Sequence, residues 1–208
     1  LEGDLYEIKK FFEDMIFPTD DILLSDIFKN FRIQEVDECI PWREGYPKLI
    51  KGNNIEAHLK NNNLKVFDQL CLKKWKILQA LPILNHEIEG NHNPLELGLL
   101  DLVDFNKGCY LGQETMARLR KLSSLKQEIR VWNGSNSEGN TLCKNNKIYL
   151  NEIKDTIIGY ITSHTFSQNL YVTGLAIIKK KYLEEHNSFY LEDFGEINIK
   201  KSIGSIFL

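Results

Sequence analysis

Apolar residues recur at helical spacing near the start of the chain. Leu5, Ile8, Phe12, Met15 and Ile16 alternate with Lys9, Lys10, Glu13 and Asp14, which predicts an amphipathic helix ended by Pro18 and the pair Asp20-Asp21. Residues 22–24 and 31–33 fit either strands or short buried turns. Residues 49–51 read as a short strand and 55–60 as a short helix after the Gly52-Asn53-Asn54 turn. Asn61-Asn62-Asn63 precedes a longer helix predicted over 65–80, with Val66, Leu70, Trp75, Leu78 and Leu81 on its apolar side and Pro82 closing it. Residues 101–105 look strand-like, and a further helix is predicted over 112–122. After Ser123-Ser124 the period shortens. Segments 127–132, 141–143, 148–150, 156–164, 170–178 and 197–203 are separated by turn residues, which predicts a small antiparallel barrel or sandwich. The expected fold class is therefore α+β, with a first region over 1–123 and a β-barrel over 124–208.

Composition narrows the class without naming a function. With 208 residues, 42% hydrophobic and 26% charged, the chain is an ordinary globular sequence with enough length for a sizeable core. A formal charge of −3 gives no general attraction to nucleic acid or anionic membrane, and the local basic face of Arg118, Arg120, Lys121 and Lys126 reads first as solvated surface. Cys39, Cys71, Cys109 and Cys143 lie far apart with no metal-ligand spacing, which points away from a disulfide framework or a permanently held cluster and toward a reducing cytoplasm. His86 and His92 share a loop, but their spacing does not suit one helical face, so no metal is expected there. The loop from Pro41 to Pro47 carries Trp42, Arg43 and Tyr46, which suit either a flat heteroaromatic ligand or packing of the loop onto the body.

One stretch concentrates special residue types: Lys107-Gly108-Cys109-Tyr110-Leu111-Gly112-Gln113-Glu114, continuing to Arg118. Gly108 and Gly112 predict a tight turn before the helix. Cys109 then sits near a helix N-terminus and near Lys107, both of which favour a thiolate, while Gln113 and Glu114 suit the first helical turn. The same pattern also fits a buried small residue in a turn followed by ordinary capping residues.

This octapeptide resembles the K-G-C-Y-x-G-Q-E signature of the YgfZ type of folate-binding proteins, relatives of the glycine-cleavage T-protein, and matches at every fixed position. Weaker similarity covers Leu72 to Pro82, the run from Asn93 to Leu99, and Ile158-Gly159-Tyr160-Ile161-Thr162-Ser163, which is similar to a strand of the family's closing barrel. The resemblance implies a T-protein-like α/β region followed by the barrel. Because the chain starts directly in a helical pattern, it is expected to be a fragment without the family's N-terminal β segment. It also implies tetrahydrofolate or a derivative as cofactor, iron–sulfur client enzymes as partners, and Cys109 as the functional thiol. Lys107, Gly108, Tyr110, Gly112, Gln113 and Glu114 would support the site, and Arg118 would contact an anionic part of the ligand. One departure stands out. Where the family pattern is Arg-x-Glu-x-Gly-x-Pro, this chain reads Lys76-Ile77-Leu78-Gln79-Ala80-Leu81-Pro82, so the pterin-binding glutamate is replaced by Leu78 and the contact would pass to Gln79 or Glu96.

Three functions follow in order: a folate-dependent accessory protein for iron–sulfur cluster assembly or repair, a tetrahydrofolate-dependent aminomethyltransferase, and a non-catalytic module docking protein or RNA.

Overall fold

The computed structural model describes residues 5–17, 19, 21–24, 30–33, 48–51, 55–62, 66, 68–122, 125–135, 139, 141–166 and 170–201. The loop with Trp42, Arg43 and Tyr46, the position of Cys39, and the Ser123-Ser124 boundary lie outside the described residues. The chain divides into two compact units, Leu1–Glu35 with Pro47–Val66, and Val36–Tyr46 with Phe67–Leu208.

In the first unit the amphipathic pattern forms helix α1 (Leu5–Met15), with Lys9 and Glu13 paired one turn apart at 3.7 Å. Strands β1 (Asn30–Ile33) and β2 (Lys48–Lys51) pair antiparallel, with Phe31 opposite Ile50, and helix α2 spans Ile55–Asn61. Residues 31–33 are thus a strand, whereas 22–24 are exposed and irregular.

Helix α3 of the second unit runs over Gln69–Leu78, shorter than the pattern predicts. The Asp68 carboxylate accepts the N–H of Cys71 at 2.7 Å and fixes the start by satisfying a free donor of the first turn. Val66 and Leu70, expected on the apolar side, are therefore exposed, while Trp75 and Ile77 are buried. The helix ends with Ala80 in the left-handed region at φ 47°, its N–H bonded to Ile77 O and the N–H of Leu81 bonded to Lys76 O, both at 2.9 Å. That is a Schellman stop built on alanine instead of the usual glycine. Helix α4 spans Gln113–Leu122.

Six strands follow: β3 (Gln127–Ser135), β4 (Lys147–Tyr149), β5 (Ile157–Phe166), β6 (Tyr171–Lys179), β7 (Ser188–Leu191) and β8 (Gly195–Lys200). They close into an antiparallel barrel in the order β3-β6-β5-β4-β7-β8. Alternation sorts the side chains. Trp132, Val172, Ala176 and Ile178 join Phe189, Leu191 and Ile197 in one core, while Ile129, Val131, Leu175 and Ile177 form a second with Ile77, Ala80 and Leu97. Because β6 contributes to both cores, its residues from Val172 to Ile178 are all buried and its sequence is almost continuously apolar. Residues 141–143 are not a strand. The Asn146 side chain accepts the N–H of Cys143 at 3.0 Å and Asn145 turns the chain at φ 73°, yet Leu142 still enters the first core. Strand β7, too short to show clear alternation, goes unread in the sequence.

A buried polar pair anchors the 83–87 loop to β5. Glu87, 1% exposed, accepts the N–H of Ile83 at 2.9 Å and the hydroxyl of Thr162 at 2.5 Å. Thr162→Val keeps the shape but leaves one carboxylate oxygen without its donor, so urea denaturation is expected to show a loss of about 2 kcal/mol. Among the described residues no helix is long and apolar enough to cross a membrane.

Candidate functional site

The segment before the cysteine motif is not a strand. Residues Leu100–Leu102 form a short 3-10 turn, and Asp104 then accepts the N–H groups of Asn106 and Lys107 through Oδ1, at 2.8 and 3.2 Å. An aspartate capping two donors in this way curls the chain in place of extending it. Val103 and Phe105 still bury their sides, packing with Leu100 and Leu119 around Leu95, Met116 and Leu125.

Within the motif, the Lys107 ammonium stands 4.7 Å from the centre of the Tyr110 ring, and Arg120 lies 4.4 Å from that of Phe105. Tyr110 O accepts the N–H of Gln113, and Gly112 O that of Met116, joining the loop to α4. Gln113 and Glu114 occupy the first turn as expected. Gly112 has φ +85°, with open space around its Cα. Gly108 has neither a left-handed φ nor a crowded Cα, so of the two glycines expected to make the turn only Gly112 requires glycine's backbone freedom. Gly112→Ala is therefore expected to lower stability by about 1 kcal/mol in a urea melt, while Gly108→Ala leaves it unchanged within about 0.5 kcal/mol.

A cleft of about 500 Å³ opens beside this loop, lined by Pro94, Leu102, Val103, Asp104, Lys107, Tyr110, Leu111, Gly112, Thr115 and Met116. Of the residues singled out from sequence, Lys107, Tyr110 and Gly112 line it, while Gly108, Cys109, Gln113, Glu114 and Arg118 do not. Cys109 is an exposed free thiol in the same loop, as are Cys71 and Cys143 elsewhere. The Tyr110 hydroxyl is buried and has no hydrogen-bond partner among the described residues. Leu111 is fully exposed at the cleft.

Pro94 and Asp104 are lining residues that the sequence reading did not single out as site residues. Pro94 belongs to a capped turn: Asn93 Oδ1 accepts the N–H groups of Leu95 and Glu96, both at 3.0 Å, and Glu96 Oε2 accepts that of Asn93 at 3.3 Å. Gly98 at φ 68° closes it. Asn-Pro-x-Glu-x-Gly carries these capping signals openly. Leu78, Gln79 and Glu96 do not line the cleft. Gln79 is fully buried, and the Glu96 carboxylate faces Asn93 and His92.

The second unit thus combines an antiparallel barrel with a glycine-bracketed thiol loop beside an open cleft. No family model matches the chain. Three relatives place it further. A chloroplastic protein of Arabidopsis thaliana named as a transferase is 35% identical over 112 residues, 52% of this chain and 24% of the relative. The tRNA-modifying protein YgfZ of Vibrio atlanticus is 30% identical over 92 residues, 43% of this chain and 28% of the relative. An aminomethyltransferase of a Thermoanaerobacter species is 27% identical over 198 residues, 84% of this chain and 51% of the relative. The chain is a relative of the YgfZ-type, T-protein-like proteins, and it spans about half or less of the length of these relatives.

Proposed function

We propose that this chain is the folate-binding, thiol-bearing part of an accessory protein for the assembly or repair of iron–sulfur clusters in client enzymes. The observation that carries this reading is the placement of an exposed thiol, Cys109, between two residues, Lys107 and Tyr110, that line a cleft of ligand size. The lining suits a flat heteroaromatic group with polar edges. Leu102, Val103 and Met116 offer apolar contact, and the buried Tyr110 hydroxyl offers a hydrogen bond that no group among the described residues takes. Asp104 uses Oδ1 on two backbone donors, and its other oxygen supplies a carboxylate acceptor of the kind that Leu78 does not. Lys107 provides a cation for an anionic tail. Bound folate would supply a one-carbon carrier. Cys109 itself acts as a nucleophile, as a partner in a transient disulfide, or as a passing ligand for a metal in transit. Exposed free thiols fit a reducing compartment.

Calorimetric titration of tetrahydrofolate into the intact gene product tests the folate half of the reading. Saturable binding, weakened about tenfold or more by Asp104→Asn, is expected. Absence of binding removes folate and leaves a thiol-bearing scaffold. The aminomethyltransferase reading draws on relatives of that name, and it requires turnover of an aminomethyl-lipoyl donor to methylenetetrahydrofolate, which an accessory protein does not perform.

A further inference from the structure

His92 sits at the centre of a polar cluster that neither the fold nor the thiol chemistry explains. Its side chain is 9% exposed. Nε2 lies 2.9 Å from the Tyr160 hydroxyl on β5, and Nδ1 lies 3.7 Å from Glu96 Oε2 and 3.4 Å from the Gln127 amide nitrogen at the start of β3. Burial, followed by the Glu96 and Glu89 charges, pushes the Tyr160 phenol above its usual range, so its hydroxyl stays protonated and shares a hydrogen bond with Nε2, while Nδ1 faces the Glu96 carboxylate and the Gln127 amide. The same carboxylate caps Asn93, and Glu96 O accepts the N–H of Ile129 at 2.8 Å. Two barrel strands thus hold the short turn that carries Pro94, one wall of the cleft.

We infer that His92 is a positioning residue that locks the Pro94 wall of the cleft to the barrel through Tyr160 and Glu96, so that barrel and ligand cleft respond as one. This rests on the reading of the cleft as a ligand site. A buried, mutually satisfied polar network is stiff, and removing one member loosens the others. The cluster ties together segments up to 68 residues apart, since His92 and Tyr160 are that distant in sequence.

The test is Tyr160→Phe, which keeps the ring and removes only the hydroxyl, beside His92→Leu and the partly restoring His92→Gln. Amide hydrogen exchange followed by mass spectrometry reads the protein directly, with no ligand needed. The expected result for Tyr160→Phe is exchange about tenfold faster over 93–99, extending to the cleft loop at 102–112, with strands β6 to β8 unchanged. His92→Leu is expected to give the same pattern and His92→Gln a smaller change. In the folate titration the Tyr160→Phe protein should bind about fivefold more weakly. Faster exchange confined to β5, or a uniform rise across the barrel, overturns the coupling and leaves a local structural contact. If wild-type protein binds no tetrahydrofolate, the folate reading falls, and the exchange pattern alone decides whether barrel and cleft are coupled.

Discussion

Gly174→Ala is expected to destabilise the barrel by about 3 kcal/mol, the upper end of what a single inserted methyl costs in a packed core. Gly174 lies on β6 between Trp132 of β3 and His164 of β5. A Cβ there would stand 2.2 Å from Ser163 O and 2.5 Å from the indole nitrogen of Trp132. The first is backbone in a paired strand and cannot swing aside. The second belongs to a fully buried indole whose N–H donates to Leu175 O at 3.3 Å. Relief of either contact opens the β5–β6 ladder or expels Trp132 from the first core. Urea denaturation followed by tryptophan fluorescence reads both effects, and a loss below about 0.5 kcal/mol would show that the strands slide apart at no cost.

Cys109→Ala is expected to abolish the in-cell activity while leaving the urea midpoint in place. The side chain is exposed and unpartnered among the described residues, so its removal costs the fold less than about 0.5 kcal/mol. Cys71 supplies the control. Its thiol donates to Asp68 Oδ2 at 3.6 Å, and that hydrogen bond, with a smaller contribution from burial, pushes the thiol up from its ordinary range. Less thiolate means slower reaction. Iodoacetamide should therefore modify Cys109 before Cys71, and Cys71→Ala should preserve activity. Full activity in the Cys109→Ala strain would sink the thiol mechanism and leave the cleft as the working site.

The parts of the fold legible in sequence are those where one face decides the pattern. α1 and α4 follow apolar spacing and first-turn acids, β3 and β5 show short apolar-rich runs between turn residues, and β6 shows a continuous apolar run bounded by turn residues. The misread segments are those where a side chain overrules the pattern. Asp104 curls the chain over 104–107 directly after the 3-10 turn at 100–102, Asp68 delays the start of α3, and Asn146 bends 141–143 away from the ladder. Each is a short polar residue competing with backbone pairing, a local chemistry that hydrophobic periodicity does not register. At the site, Lys107, Tyr110 and Gly112 were legible because their types are unusual together. Pro94 was not, since its role depends on a turn folding back toward the loop, and the link from His92 to Tyr160 is a tertiary contact with no local trace.

Closure of the barrel has a consequence for recognition. Each of its strands has neighbours on both sides, and where β8 ends short of the start of β3, Glu96 O takes the N–H of Ile129. Among the described residues the barrel therefore offers no whole strand edge on which another polypeptide could extend the sheet, only the overhangs of β3 and β5 beyond their shorter neighbours. Any polypeptide that docks on this barrel has to read chiefly side chains, which makes docking sensitive to surface substitutions and largely insensitive to the partner's own secondary structure.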